Sequence, residues 1–279
     1  MANSSKKYIG CCIPLIHSGL SDDLFFMQIL DGIAKTLEKT AYSLVLNTLS
    51  NDTYDLKQLD DIISGLSGLI LINPLSDQSL TNHLSTSNIP FVVIGTPENH
   101  DDIFSVDIDV VGAAFQVSHY LISKGHSSIF YVNSPGGYVH SDQTKRGFKL
   151  SHVESQVPWA EGNYSEQPVT SEAGYQATEK ILNDFPDCTA IVTTNEIVAK
   201  GVVDKLLEKK IRIPKKMAVI SMGGTQVGYL YKPGITTIDF SPINLGTVAA
   251  DLLVEVISKK RIRPSHLLLP TQLIERDST

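Results

Sequence analysis

Short apolar runs alternate with longer amphipathic stretches along nearly all of this 279-residue chain. Residues 8–15 are almost continuously apolar, as expected of a strand that is buried on both faces of a sheet. Apolar residues then recur every three or four positions from Leu24 to Leu37, which is the period of an amphipathic helix. Repeated succession of such strands and helices predicts parallel α/β sheets rather than an all-β domain.

The alternation forms two successive series, separated by the strong loop signal Ser134-Pro135-Gly136-Gly137. The predicted strands lie at residues 8–15, 42–47, 68–72, 91–94, 105–107, 128–132, 190–193, 217–221, 235–239 and 267–274. The predicted helices lie at residues 24–37, 56–64, 81–87, 110–124, 141–154, 171–183, 197–209, 227–232 and 245–259. Two similar α/β lobes are the simplest interpretation of this order.

Charge and cysteine content limit the class of protein. Aspartate and glutamate number 30 against 23 lysine and arginine, so the formal charge of −7 disfavours unaided binding to a phosphate backbone. No apolar run approaches the ~20 residues that cross a bilayer, and no secretory signal precedes the first strand. Cys11, Cys12 and Cys188 form neither a disulfide framework nor a metal pattern. These features predict a cytoplasmic protein with no membrane partner.

The chain carries none of the common catalytic or nucleotide-binding motifs. It has no Gly-x-Ser-x-Gly elbow, no phosphate-binding Gly-Lys-Ser/Thr loop, no His-Glu-x-x-His, and no Gly-x-Gly-x-x-Gly after the first strand. Asp101-Asp102 and Asp107-x-Asp109 offer oxygen ligands, but they lack the spacing of a calcium loop. We therefore expect no metal, no cofactor and no enzyme activity. Polar and aromatic residues where strands end and helices begin indicate ligand binding instead.

Several segments, taken in order, carry a family resemblance. Three of them resemble motifs of the LacI/GalR family of transcriptional regulators. They are His-Tyr-Leu-Ile-Ser-Lys-Gly-His at 119–126, Thr-Ala-Ile-Val at 189–192 followed by Asn195, and Pro-Gly-Ile-Thr-Thr-Ile at 233–238. The resemblance covers the chain from Tyr8 to its end. It implies an α/β fold of two flavodoxin-like subdomains, periplasmic binding protein-like type I, with parallel sheets and three chain crossings.

The resemblance also implies subdomain boundaries. Crossings are expected near Asn133, Asp239 and Arg263, so that the helix at 245–259 returns to the first lobe. The N-terminal subdomain then comprises residues 8–133 and 240–263, and the C-terminal subdomain comprises residues 134–239 and 264–279. Residues 1–7 are interpreted as a linker or tag remnant.

The family's effector lies in the cleft between the lobes, and the resemblance places twelve residues there. Asn195 has an alternative role as a helix N-cap, and Tyr164 has an alternative role in packing within its lobe. Either Asp107 or Asp109 matches the motif aspartate, and either is also suited to cap the following helix. Phe25, like its neighbour Phe26, is equally suited to the core. The expected ligand-binding residues are Leu24, Phe25, Asn73, Asp107, Asp109, Tyr138, Ser141, Thr144, Tyr164, Asn195, Glu196 and Gly223.

Two departures from the family pattern bear on the ligand. Thr144 stands where the family commonly has a sugar-binding arginine, and Arg146 comes two residues later, on another face of the helix. Gly223 and Gly224 follow Met222 where the family often has a Phe-Asp-Asp sequence. Without these charged anchors, we expect a larger or less polar effector, such as a maltose-type oligosaccharide, with the two glycines making room.

The resemblance implies a homodimeric effector-sensing module of a regulator, expected to be a repressor, with dimer contacts from surface helices near Leu56 and Leu245. Operator DNA would be bound by a helix-turn-helix that is not in this chain, since the family places it ~60 residues before the first strand. We expect a truncated repressor or a stand-alone sensor. A solute-binding protein of the same fold and an α/β enzyme are the alternatives.

Overall fold

The computed structural model describes residues 7–14, 24–49, 56–74, 76, 78–95, 102–224, 226–261 and 263–279. The strands are β1 (Lys7–Pro14), β2 (Tyr42–Leu49), β3 (Gly68–Ile72), β4 (Phe91–Ile94), β5 (Phe104–Ile108), β6 (Ile129–Asn133), β7 (Tyr164–Glu166), β8 (Ala190–Thr193), β9 (Ala218–Gly223), β10 (Thr236–Asp239), β11 (His266–Leu269) and β12 (Gln272–Ile274). The helices are α1 (Leu24–Leu37), α2 (Leu56–Ile63), α3 (Ser79–Thr86), α4 (Val110–Ser123), α5 (Val139–Glu154), α6 (Ser171–Asp184), α7 (Glu196–Glu208) and α8 (Pro242–Ile257).

The chain divides into two compact units. Unit 1 comprises residues 1–108, 137–139 and 242–269, and unit 2 comprises residues 109–136, 140–241 and 270–279. Each unit contains one six-stranded sheet. The predicted α/β class with two mostly parallel sheets is therefore confirmed.

The sheet of unit 1 has the strand order β11-β5-β4-β3-β1-β2, and all neighbouring strands are parallel. All five residues of β3 are buried, as the continuous apolar run predicts. The helix α1 buries Ile29, Ile33 and Leu37, which share one face at helical spacing. It packs against α8, and α8 in turn contacts β3, β4 and β5.

The sheet of unit 2 has the order β12-β10-β9-β8-β6-β7, and only β12 runs antiparallel to its neighbour, β10. The helices α6 and α7 pack against each other and enclose an apolar core with this sheet. Ile191, Val219 and Val202 belong to that core, and each has at most a trace of exposed surface. Among the helices of the described part of the chain, none is long and apolar enough to cross a membrane.

The structure departs from the predicted elements in three places. The single strand predicted at 267–274 is two strands, because Pro270, which cannot donate a backbone hydrogen bond, interrupts it. The two pieces belong to different sheets, β11 to the first and β12 to the second. The short strand β7 was not predicted, since its three residues, from Tyr164 to Glu166, show no apolar alternation. The predicted helix at 227–232 is a 3-10 helix at Gln226–Tyr229.

Two strands lie outside the subdomain ranges expected for them. The strand β6 belongs to the sheet of unit 2, and unit 2 begins at Asp109, whereas the first crossing was expected near Asn133. The strand β11 belongs to the sheet of unit 1, although the last crossing was expected near Arg263. The first boundary was predicted beside the glycine-rich loop at 134–137, which is a local turn signal. Sheet membership depends instead on which strands pair.

Candidate functional site

The carboxyl ends of the parallel strands in unit 2 bring together polar residues, some of them predicted to bind ligand and some not. Asn133 ends β6, Glu166 ends β7 and Gly223 ends β9. Asn195 lies two residues beyond β8, at the start of α7. In open α/β sheets this edge is the usual position of a ligand, because loops and helix N-termini converge there. The sheet of unit 1 also has such an edge.

Asn133 is the centre of a buried polar network in unit 2. Its side-chain Nδ2 donates to the backbone oxygen of Ser141 (3.0 Å) and to the hydroxyl of Tyr164 (2.9 Å). The Asn133 residue is only 1% exposed, and its Oδ1 accepts no hydrogen bond from any residue that the structure describes. Ser134 and Ser141 share a hydrogen bond between their hydroxyls (2.6 Å). The network leaves one carbonyl oxygen available for a donor.

Tyr164 is half-buried and its ring is in contact with its own lobe. The Lys145 Nζ lies 4.3 Å from the centroid of the ring, and the Trp159 ring centroid lies 6.1 Å away. The Tyr164 hydroxyl donates to Glu166 (3.3 Å) while it accepts from Asn133. Burial raises the pKa of Tyr164, so the phenol is protonated at neutral pH. The contacts of Tyr164 within unit 2 are therefore those of packing in its own lobe, and its ligand contact stays a prediction.

Asn195, Glu196 and Gly223 come together at the ends of β8 and β9. Asn195 Oδ1 accepts a hydrogen bond from the Val198 amide (3.0 Å), which makes Asn195 the N-cap of α7. The neighbouring Glu196 is 2% exposed and accepts a hydrogen bond from the Thr237 hydroxyl (3.1 Å). Gly223 has a φ of 111°, and a Cβ placed on it would lie 3.6 Å from Glu196 Oε2. Gly223 therefore leaves space between these side chains.

Thr144, at the position of the family's arginine, is fully buried inside unit 2. Its hydroxyl lies 3.4 Å from Nδ1 of His140. Burial lowers the pKa of His140 to about 4, so this imidazole is neutral at pH 7. Arg146 is exposed, as its position on another helix face predicts. The position of the missing arginine thus carries no charge.

Asn73 and Tyr138 lie at the corresponding edge of unit 1. Asn73 follows β3 with a φ of 47°, and its amide donates to the Ile94 carbonyl (2.7 Å). Its Oδ1 is buried and, within the described residues, has no hydrogen-bond partner. Tyr138 is 8% exposed, and the Val139 amide beside it donates to the Pro74 carbonyl (3.4 Å). Backbone hydrogen bonds therefore join the segments that carry Asn73 and Tyr138.

The two candidate aspartates take different roles. Asp107 is 6% exposed and accepts from the Ile108 amide (2.8 Å) at the end of β5. Asp109 accepts from the Gly112 amide (2.8 Å) and is the N-cap of α4. The capping role that the sequence left open for either residue is thus taken by Asp109.

Leu24 and Phe25 form the first turn of α1 in unit 1. Leu24 is exposed and Phe25 is partly buried, with its ring edge-on to Phe26 at 6.1 Å between centroids. Phe26 belongs to the core, whereas Leu24 presents an apolar side chain to solvent. A ligand contact from Leu24 or Phe25 stays a prediction, and the ring contact of Phe25 with Phe26 is structural.

Sequence reasoning missed Asn133, Ser134 and Glu166. Their signal is visible afterwards: each is a polar residue at, or directly after, the carboxyl end of a strand. Glu166 Oε2 also accepts a hydrogen bond from the Gly136 amide (2.9 Å). Within the described ranges, no group of three histidine, cysteine, aspartate or glutamate side chains is arranged to hold a metal ion.

Comparison with known proteins connects this geometry with a family. The family model of the periplasmic binding protein-like domain matches residues 118–279. Catabolite control protein A of Priestia megaterium is 25% identical over 282 residues, which cover 100% of this chain and 83% of that protein.

Two solved structures share the fold. A LacI transcriptional regulator from Bacillus cereus subsp. cytotoxis superimposes with a TM-score of 0.91 at 24% identity, covering 99% of each chain. The transcriptional regulator CelR in complex with cellobiose has a TM-score of 0.88 at 22% identity, covering 98% of this chain and 84% of that one. With the family model matching more than half of its length, the chain belongs to the periplasmic binding protein-like domain family.

Proposed function

We propose that this chain senses a small-molecule effector, a sugar or oligosaccharide, for a transcriptional regulator of the repressor type. The observation that carries the proposal is the buried Oδ1 of Asn133, which accepts no hydrogen bond from the described residues. An unsatisfied buried acceptor costs about 1–3 kcal/mol, and a ligand hydroxyl that donates to it offsets that cost. Asn73 Oδ1 in unit 1 is also buried and accepts no hydrogen bond from the described residues. Sugars supply such hydroxyls in number.

The lack of charged anchors at this site favours an oligosaccharide over a free hexose. The positions of the family's arginine and aspartate are taken by Thr144, which is buried, and by Gly223, which leaves space beside Glu196. A ligand without those charged anchors needs more contact area, which a second sugar ring supplies. The cellobiose bound by the CelR relative is a disaccharide of this kind.

In the proposed mechanism, the effector lies in the cleft that the family resemblance implies between the two lobes. Its binding favours the closed arrangement in proportion to the difference between its affinities for closed and open states. The regulator acts as a cytoplasmic homodimer, and its operator is bound by a helix-turn-helix outside this chain. The names of the curated relatives, which are transcriptional regulators, support this assignment.

A fluorescence and calorimetric titration tests the proposal. Trp159 is the single tryptophan of the chain and lies beside Tyr164, so its emission reports on the predicted site. Cellobiose, maltose, maltotriose, glucose and ribose form the panel. We expect saturable binding of at least one di- or trisaccharide, with glucose and ribose much weaker. Binding of no carbohydrate contradicts the effector class, and tight binding of a monosaccharide contradicts the oligosaccharide assignment.

A further inference from the structure

A group of cations lies at the amino edge of the unit 1 sheet, opposite the predicted ligand-binding edge. The strands of this sheet are parallel, so all of them begin at one edge. Lys7 begins β1 and Lys39 lies in the turn before β2. Four further cations lie between α8 and β11. These amino-edge cations are Lys7, Lys39, Lys259, Lys260, Arg261 and Arg263.

Three cations of the segment between α8 and β11, Lys260, Arg261 and Arg263, line an open cavity of about 600 Å³. Arg261 is fixed in place, since its Nε donates to Glu255 (3.0 Å) and its Nη1 donates to Ser265 (3.2 Å). Lys260 and Arg263 line the same cavity and are exposed, and neither forms an ion pair with the residues that the structure describes. The negative C-terminal end of the α8 dipole favours cations in or near the last turn of that helix. Arg263 lies well beyond the end of α8 at Ile257, so the helix dipole does not explain its position.

Acidic residues offset much of the charge elsewhere along this edge, but not in the segment around the cavity. Glu38 and Asp102 lie in the loops of the same edge, and Glu255 is occupied by Arg261. Asp60 and Asp61 lie in the last turn of α2, where Asp60 contacts His83 (2.7 Å). The segment from Glu255 to Ser265 therefore has an excess of positive charge, with four cations and one carboxylate, on a chain whose formal charge is −7. A local excess of this sign attracts anions even when the net charge of the protein is negative.

We propose that the amino-edge cations bind the phosphate backbone of duplex DNA. The proposal rests on the proposed function, in which the DNA-reading segment precedes β1 and so brings the duplex to the edge where β1 begins. In the sheet order, β11 and β1 are four strand spacings apart, or roughly 19 Å. Because B-DNA carries a phosphate charge about every 1.7 Å along its axis, a row of cations of this length meets several phosphates.

The salt dependence of DNA binding by the whole chain tests this proposal. A fluorescein-labelled duplex of about 25 base pairs, of arbitrary sequence, is titrated by anisotropy between about 20 and 200 mM salt. The double variant Lys260→Gln/Arg263→Gln removes two exposed cations from the cavity. The matched control, Lys215→Gln/Lys216→Gln, makes the same change in net charge on an exposed segment of unit 2.

We expect weak, salt-sensitive binding by the unmodified chain. The cavity variant should lose about 1.8 from the slope of log K against log salt, and about 10²-fold in affinity near 50 mM salt, while the control keeps both. Equal slopes for the two variants, or no binding by the unmodified chain at the lowest salt, overturn the proposal. Displacement of the duplex by inorganic phosphate at the same concentration of phosphate groups and the same ionic strength also overturns it, because it shows a single-anion site.

Carbohydrate titrations of the same variants separate this proposal from the proposed function. Neither pair of substitutions touches the predicted effector site, so the change in Trp159 emission should be identical in all three proteins. Carbohydrate binding without DNA binding overturns the DNA-backbone contact alone. DNA binding without any carbohydrate response overturns the proposed effector class and leaves the contact standing.

Discussion

The side-chain Nδ2 of Asn133 donates a 2.9 Å hydrogen bond to the hydroxyl of Tyr164. The two residues belong to neighbouring strands, since β6 pairs with β7 in parallel register. The bond, with the second one from Nδ2 to the Ser141 carbonyl, fixes the orientation of the amide. Asn133 Oδ1 is thereby held at the carboxyl edge of the sheet, without a hydrogen-bond donor among the described residues.

Tyr164→Phe removes the hydroxyl that accepts from Asn133 and donates to Glu166. The loss of hydrogen bonds at this half-buried position should lower the free energy of unfolding by about 0.5–1.5 kcal/mol. Carbohydrate affinity should also fall, because the Asn133 amide is no longer held in one orientation. Urea unfolding and calorimetry measure the two effects. Tyr229→Phe, at an exposed tyrosine of unit 2, is the control. Unchanged carbohydrate affinity in Tyr164→Phe would contradict a role for this pair.

Asn195 combines the cap of α7 with a predicted ligand contact, and two substitutions separate these roles. Asn195→Ala removes the oxygen that accepts from Val198 and should cost about 1 kcal/mol of stability. Asn195→Asp keeps an oxygen in that position, so it should preserve the cap while it removes the amide donor to a ligand. Thermal unfolding paired with carbohydrate titration distinguishes the variants. If Asn195→Asp binds carbohydrate as tightly as the unmodified chain, Asn195 is a cap alone.

Gly224 should tolerate no side chain. Its φ is 63°, and a Cβ there would collide with the backbone of Asp239. Gly224→Ala should therefore lower the free energy of unfolding by more than about 2 kcal/mol. Gly65→Ala is the matched control, because Gly65 has a φ of 85° but no described atom within 4 Å of the new Cβ. That variant should lose only the ~1 kcal/mol of a strained backbone, as measured by urea unfolding. Equal losses would contradict the collision.

Acid should destabilise unit 2 in part through His140. Its pKa in the folded protein is lowered by burial from 6.5 to about 4, so the unfolded chain binds the proton more readily. The stabilisation is fully present above pH 6.5 and is lost as the pH falls toward 4. His140→Gln removes this contribution and should flatten the decrease in Tm between pH 7 and pH 4.5.

The exposed His119 provides the control for this pH dependence. His119→Gln should leave the decrease in Tm as it is in the unmodified chain. His126 and His152 retain pKa values lowered by burial, so part of the decrease should persist in His140→Gln. The same pH profile in His140→Gln and the unmodified chain would show that the His140 ring is not buried in its neutral form.

Site residues that lie in a family motif could be predicted from the sequence. Residues that belong to the site only through tertiary contacts could not. Asn195, Glu196 and Gly223 were expected from the family resemblance, and they lie close together in unit 2. Asn133 was not identified, because its importance comes from hydrogen bonds to Ser141 and Tyr164, and Tyr164 is 31 positions away. Sequence spacing alone carries no information about such a contact.

The sequence by itself determined the α/β class and the approximate bounds of most helices and strands, since the periods of 3.6 and 2 are local properties of the chain. Only the tertiary structure decided which sheet each strand joins. The segment at 267–274 has apolar residues on both sides of Pro270, yet β11 pairs with β5 in unit 1 and β12 pairs with β10 in unit 2. Strand pairing depends on surfaces far apart in the chain, which local periodicity cannot specify.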